Sequence, residues 1–124
     1  MAVTPLSSLN MYIQKYCEIS AGHCRINGET VYRHADSEFS AFAKGLYQHM
    51  NLAYPKFFKM DRLSKLALLA AAHFLVEGED TALLFANRSS SLDTDVLHQE
   101  SIEDPSAYFP SPAVFVYTLP NICL

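Results

Sequence analysis

Residues 59–76, which read Lys-Met-Asp-Arg-Leu-Ser-Lys-Leu-Ala-Leu-Leu-Ala-Ala-Ala-His-Phe-Leu-Val, carry the longest apolar helical signal in the chain. From Leu66 to Val76 only His73 interrupts the apolar residues. A helix here cannot turn a wide face to water and needs cover from more than one side. Asp61 is placed to cap its first turn, and Gly78 stands where a left-handed residue would stop it. Ala70, Ala71 and Ala72 remove side-chain bulk in mid-helix, so a neighbouring strand or helix can come close to the backbone. The stretch is expected to be a core helix around which the other segments pack.

The rest of the composition suits such a core. Half of the 124 residues are hydrophobic and 18% are charged, which fits one globular domain. A net charge of -4 leaves no basic excess to neutralise phosphates, so nucleic-acid binding is not expected. No run reaches the ~18 apolar residues of a membrane span. There is no basic residue before Lys15, so the pattern of a signal peptide is missing and a cytoplasmic location is expected. The three cysteines have no paired spacing, which points to free thiols rather than a disulfide framework or a zinc module.

In chain order, the alternation from Met11 to Ile19 predicts a strand. Asn27-Gly28, between Ile26 and Thr30-Val31-Tyr32, predicts a tight hairpin turn that joins Cys24-Arg25-Ile26 to a second short strand. Cys17, His23, Cys24 and His34 are residue types that zinc prefers. Their spacing lacks close ligand pairs and a hairpin would scatter them over both faces, so neither a metal nor any other cofactor is expected. His49 and His98 read as surface residues. His73, in its apolar setting, reads as a hydrogen-bonded core histidine rather than a ligand or base.

Phe39, Phe42, Ala43, Leu46, Tyr47 and Met50 recur at steps of three and four, which predicts one amphipathic helix over 37–52, ended by Ala53-Tyr54-Pro55. Lys56-Phe57-Phe58-Lys59 then sets two lysines beside two aromatics at the approach to the central helix. Residues 81–86, Thr-Ala-Leu-Leu-Phe-Ala, form an unalternating run that predicts a strand buried on both faces, and hence an α/β fold with a helix-covered parallel sheet. A polar loop follows. Ser89, Ser90 and Ser91 have no nucleophile elbow around them, and Asp93 or Thr94 can cap a helix running from Asp95 towards Ser101.

Three stretches together resemble the β-ketoacyl-acyl-carrier-protein synthases. The first is Lys59-Met60-Asp61-Arg62 with its alanine-rich continuation. The second is the strand-like run 81–86 with the serine-rich loop after it, which lacks the family's glycine pair. The third is Phe109-Pro110-Ser111-Pro112 leading to Leu119-Pro120-Asn121, with Asn121 as the cap of a further helix. The similarity spans about residues 55–124. It is closest to small ketosynthase-like proteins of bacterial aryl-polyene and flexirubin pigment pathways.

The resemblance implies the N-terminal portion of a thiolase-like fold. That means α/β, a mixed sheet with an N-terminal hairpin and covering helices, in a single partial domain over 1–124 that stops short at its C-terminus. It also implies acyl-chain elongation of the fatty-acid or polyketide type. The family's nucleophilic cysteine and its condensation histidines lie beyond the matched segments, so no catalytic residue is assigned and no condensing activity is expected of this chain. Cys123 is the runner-up nucleophile, two residues past the Asn121 cap, where a helix dipole would lower a thiol pKa. Family order sets it before the catalytic turn.

Basic residues just ahead of the Met-Asp pair serve carrier-protein docking in this family. That implies Lys59, with Lys56 beside it, as the docking pair, although Phe58 stands where an arginine is common. The expected partners are an acyl-carrier protein and either a complete ketosynthase subunit or a second copy of the chain. The alternative reading is a small non-enzymatic module that binds a carrier protein or a ketosynthase.

Overall fold

The computed structural model describes residues 11–84, 86, 88, 92–103, 105–106 and 111–119. Within them a three-stranded antiparallel sheet, in the order β1-β2-β3, is followed by helices, so the chain is a small mixed domain of α and β elements. Strands β1 (Cys17–Ser20), β2 (His23–Ile26) and β3 (Glu29–Arg33) follow one another through two-residue turns.

Both turns use left-handed backbone at their two central residues, the form whose twist suits a tight hairpin. Asn27 and Gly28 have φ of 51° and 86°, as the Asn-Gly signal predicts. Ala21 and Gly22 have φ of 44° and 77° in a turn that composition hides, because alanine is a poor left-handed residue. Asn27 also holds the incoming chain: its Oδ1 accepts from the Tyr16 amide at 3.0 Å, and its own amide donates to the Tyr16 carbonyl at 3.0 Å.

That clamp explains a correction at the N-terminal side. The strand expected from Met11 to Ile19 begins only at Cys17, because β2 turns away at Asn27 and gives residues 11–15 no backbone to pair with. Ile19, Cys24 and Tyr32 lie opposite one another across the sheet and form its inner row. A bulge after Cys24 lets β3 bend past it.

Helix α1 (Phe39–His49) covers this inner face with Phe42, Ala43, Leu46 and Tyr47, the residues its periodicity selects. Its N-cap is Glu38, whose carboxylate accepts from the amides of Ser40 at 2.9 Å and Ala41 at 2.8 Å. It ends before the expected Tyr54-Pro55 stop. Asn51, at φ 54°, takes the left-handed position, and the amides of Asn51 and Leu52 close on the carbonyls of Gln48 and Tyr47.

A 3-10 turn (Pro55–Lys59) and helix α2 (Arg62–Ala71) complete the packed part of the domain. Asp61 caps α2 as expected, accepting from the amides of Leu63 and Ser64. The core comprises Cys24, Phe42, Ala43, Leu46, Tyr47, Phe57 and Leu69. Tyr47 stacks on Phe57 at 4.4 Å between ring centres and accepts from the Tyr54 amide through its hydroxyl. The central helix is thus part of the core, but it is shorter and less covered than expected. Only Ser64 and Leu69 are buried on it, and it stops at Ala71. The chain tightens there, with the Phe74 amide on the Ala71 carbonyl, and Gly78 takes its positive φ in a separate turn.

The strand expected over 81–86 does not form in its described residues, and the sheet contains no parallel pair among the described residues. An apolar run has strand-forming side chains but becomes a strand only when an edge is available to bond it. Here the sheet lies elsewhere, and Leu83 and Leu84 are exposed. Helices α3 (Leu92–Glu103) and α4 (Pro112–Val116) pack on each other. Helix α3 starts earlier than Asp95, leaving Asp93 and Asp95 in its first turn, where acidic side chains suit the helix dipole. His98 lies half-buried against the Phe115 ring rather than on the surface, whereas His49 is exposed as expected. No helix among the described residues is long and apolar enough to cross a membrane.

Candidate functional site

Among the described residues, two places bring chemistry-bearing side chains together. The first joins the hairpin to the end of α2. Cys17 and Cys24 project from the inner face of adjacent strands, and their sulfurs are 3.7 Å apart. His73, in the turn after α2, places Nε2 3.4 Å from the Cys24 sulfur. The donor atoms of Cys17, Cys24 and His73 all lie within 4.8 Å of one another. Cys24 is fully buried, while Cys17 and His73 are half-buried.

Burial pushes the Cys24 thiol up to about 12, and the thiol and charge of Cys17 add to that. Burial also raises the Cys17 thiol, partly opposed by its contact with Cys24. His73 is held below the ordinary histidine range by burial first and by the charge of His49 second. The resting state is therefore two neutral thiols beside a neutral imidazole.

Of the four residues weighed for metal binding in the sequence, the fold brings Cys17 and Cys24 together and sends His23 and His34 elsewhere. The His23 ring bonds to the Ala21 carbonyl, and Nδ1 of the His34 ring accepts from the Asp36 amide. The donor that joins the thiols is His73, which does have the hydrogen bond expected of a core histidine. Spacing missed it because it is 49 residues from Cys24. The one local signal was a histidine interrupting an otherwise apolar run.

The second place is the 3-10 turn. At three residues per turn, Lys56 and Lys59 fall on one side. Phe57 between them is buried at 1% exposure, and Phe58 is 53% exposed. Packing of Phe57 against Tyr47 fixes the turn, and the Asp61 cap fixes the start of α2 immediately after it. Both lysines are exposed, and neither belongs to an ion pair among the described residues.

Cys123, Asn121 and the serines 89, 90 and 91 lie outside the described residues. Comparison of the chain with protein-family models, with curated proteins and with solved structures finds no match.

Proposed function

We propose that the chain is a β-ketoacyl-acyl-carrier-protein synthase-like protein, part of a thiolase-like scaffold, that docks an acyl-carrier protein and does not itself carry out condensation. One observation carries this reading. Exposed Lys56 and Lys59 stand one 3-10 period apart in a turn held by Phe57, directly ahead of the Asp61-capped helix of the Lys-Met-Asp-Arg motif. Two exposed ammonium groups with no ion pair among the described residues attract an acidic partner and orient it, and the exposed Phe58 ring in the same turn offers an apolar contact. The parallel sheet of that family is not among the described residues, so the reading rests on the motif and the lysine corner and not on topology. Exposed Leu75, Val76, Leu83 and Leu84 favour a further partner, either a complete ketosynthase or a second copy of the chain.

The test is titration of a fluorescent acyl-carrier protein with the full chain at low and moderate salt. Reversing both charges, Lys56→Glu with Lys59→Glu, should weaken binding at least about tenfold and flatten its salt dependence. Binding indifferent to both charges overturns the docking reading. Condensation of acyl and malonyl carrier substrates by the isolated chain overturns the non-catalytic one.

A further inference from the structure

We infer that Cys17, Cys24 and His73 form a zinc site that fastens the β1-β2 hairpin to the end of α2. Zinc binds thiolate sulfur at about 2.3 Å and imidazole nitrogen at about 2.05 Å in tetrahedral geometry, so two sulfurs on one ion are about 3.8 Å apart and a sulfur and a nitrogen about 3.5 Å. The two sulfurs stand at 3.7 Å, and the Cys24 sulfur and His73 Nε2 at 3.4 Å. These are two edges of such a tetrahedron already at length. The third edge, from Cys17 to His73, lies within 4.8 Å. It closes by a shift of His73, which sits in a turn and not in a regular helix.

The alternative use of two neighbouring thiols is a disulfide, and the sheet register disfavours it. Cys17 is opposite Ile26 and Cys24 is opposite Ile19, so the cysteines are diagonal neighbours. Diagonal Cβ atoms are farther apart than the roughly 3.5–4.5 Å a disulfide requires, whereas an ion bridges that gap. Charge also favours a dication. The ion displaces one proton from each thiol, and two thiolates with a neutral imidazole leave the site with no net charge. A junction whose central ligand, Cys24, is fully buried requires that neutrality. Three protein donors leave the fourth position to water or to a small exogenous ligand.

The experiment uses the full chain, reduced and stripped of metal, titrated with Zn²⁺ against a chromophoric chelator and separately with Co²⁺. One equivalent of zinc should bind with release of two protons. Cobalt should give the intense visible bands of a tetrahedral site together with a thiolate-to-metal charge-transfer band. Cys17→Ser and His73→Asn should each weaken zinc binding by more than the roughly 10–100-fold that loss of a supporting contact costs. His23→Ala and His34→Ala should leave it unchanged. Cys24→Ser removes a core side chain, so the cobalt spectrum of the unaltered chain gives a reading that depends on no variant. Three results would overturn the inference: a pale octahedral cobalt spectrum with no charge-transfer band, zinc affinity unchanged in Cys17→Ser and His73→Asn, or a Cys17-Cys24 disulfide in protein isolated without reductant.

Discussion

Cys24 and His73 are 49 positions apart in the chain, and their Sγ and Nε2 atoms are 3.4 Å apart in the fold. This contact ties the middle strand of the sheet to the turn that ends α2. Its first consequence is a thiol hard to reach and hard to ionise. A thiol pushed up to about 12 from 9.0 has a thiolate fraction on the order of a thousandfold below an ordinary one at neutral pH. Site-resolved mass spectrometry after iodoacetamide treatment of the metal-free native chain should find Cys24 alkylated far more slowly than free cysteine, and at the ordinary rate after denaturation. Alkylation of native Cys24 at the free-cysteine rate would contradict the burial described for it.

Glu38 predicts an acid-side effect on α1. The amide of Ser40, then that of Ala41, hold its carboxyl below the ordinary value of 4.5, with a smaller opposing effect of burial and further help from the Ser40 hydroxyl and the Arg62 charge. A carboxylate whose pKa is depressed by folding stabilises the fold fully above its unfolded value, and that stabilisation is lost as pH falls through the folded value. Melting temperature should therefore fall as pH drops below about 4.5. Glu38→Gln should fall less steeply over the same interval, because its amide keeps an acceptor but cannot titrate. Parallel pH profiles for the two proteins would show that the cap contributes nothing through its charge.

Gly45 lies on the face of α1 that meets β3, and a Cβ built there runs into the Tyr32 hydroxyl and lies 3.2 Å from the His34 ring. Glycine to alanine in a helix usually gains about 1 kcal/mol. Here the added methyl requires a shift of the Tyr32 ring, which packs against Phe42 and His49. Gly45→Ala should lower stability by about 1–2 kcal/mol in urea unfolding. Tyr32→Phe, which removes the nearest clashing atom, should recover part of that loss in the double variant. A stabilised single variant would mean that α1 and β3 are not in such close contact.

Ala21 is strained by its φ of 44° at the first turn. Asparagine tolerates that region better and suits the first central position of this turn. Ala21→Asn should stabilise the chain by about 0.5–1 kcal/mol and raise the melting temperature by roughly 2–4 °C. A lower melting temperature would show that the turn opens more freely than its bonds imply.

These variants mark the line between what the chain states locally and what it leaves to tertiary contact. Asn27-Gly28, Asp61 and the three-and-four spacing from Phe39 to Met50 act on their own neighbourhoods, so the hairpin, the cap and α1 could be read before folding. Residues 81–86 have the composition of a strand, but a strand needs a second backbone, and nothing in those six residues says whether one will be there. The Ala21-Gly22 turn left only its glycine as a signal. His73 was legible as a hydrogen-bonded core histidine, and the fold gives it the bond while leaving it half-buried. Its partner was not, because the bend that delivers it to Cys24 arises from how α2 docks on β1 and not from the residues around it.

The hairpin also sets an order of events. Strands joined by two-residue turns find each other on a timescale of about 1–10 μs, since almost no loop has to close. Cys17 and Cys24 are therefore set side by side by contacts local in the chain, whereas the burial of Cys24 waits for the helices that cover it. His73 arrives only when α2 has settled onto the sheet. A nascent chain thus presents a two-thiol claw first and its imidazole last, so an ion caught by the claw would act as a template that draws the helix end into place.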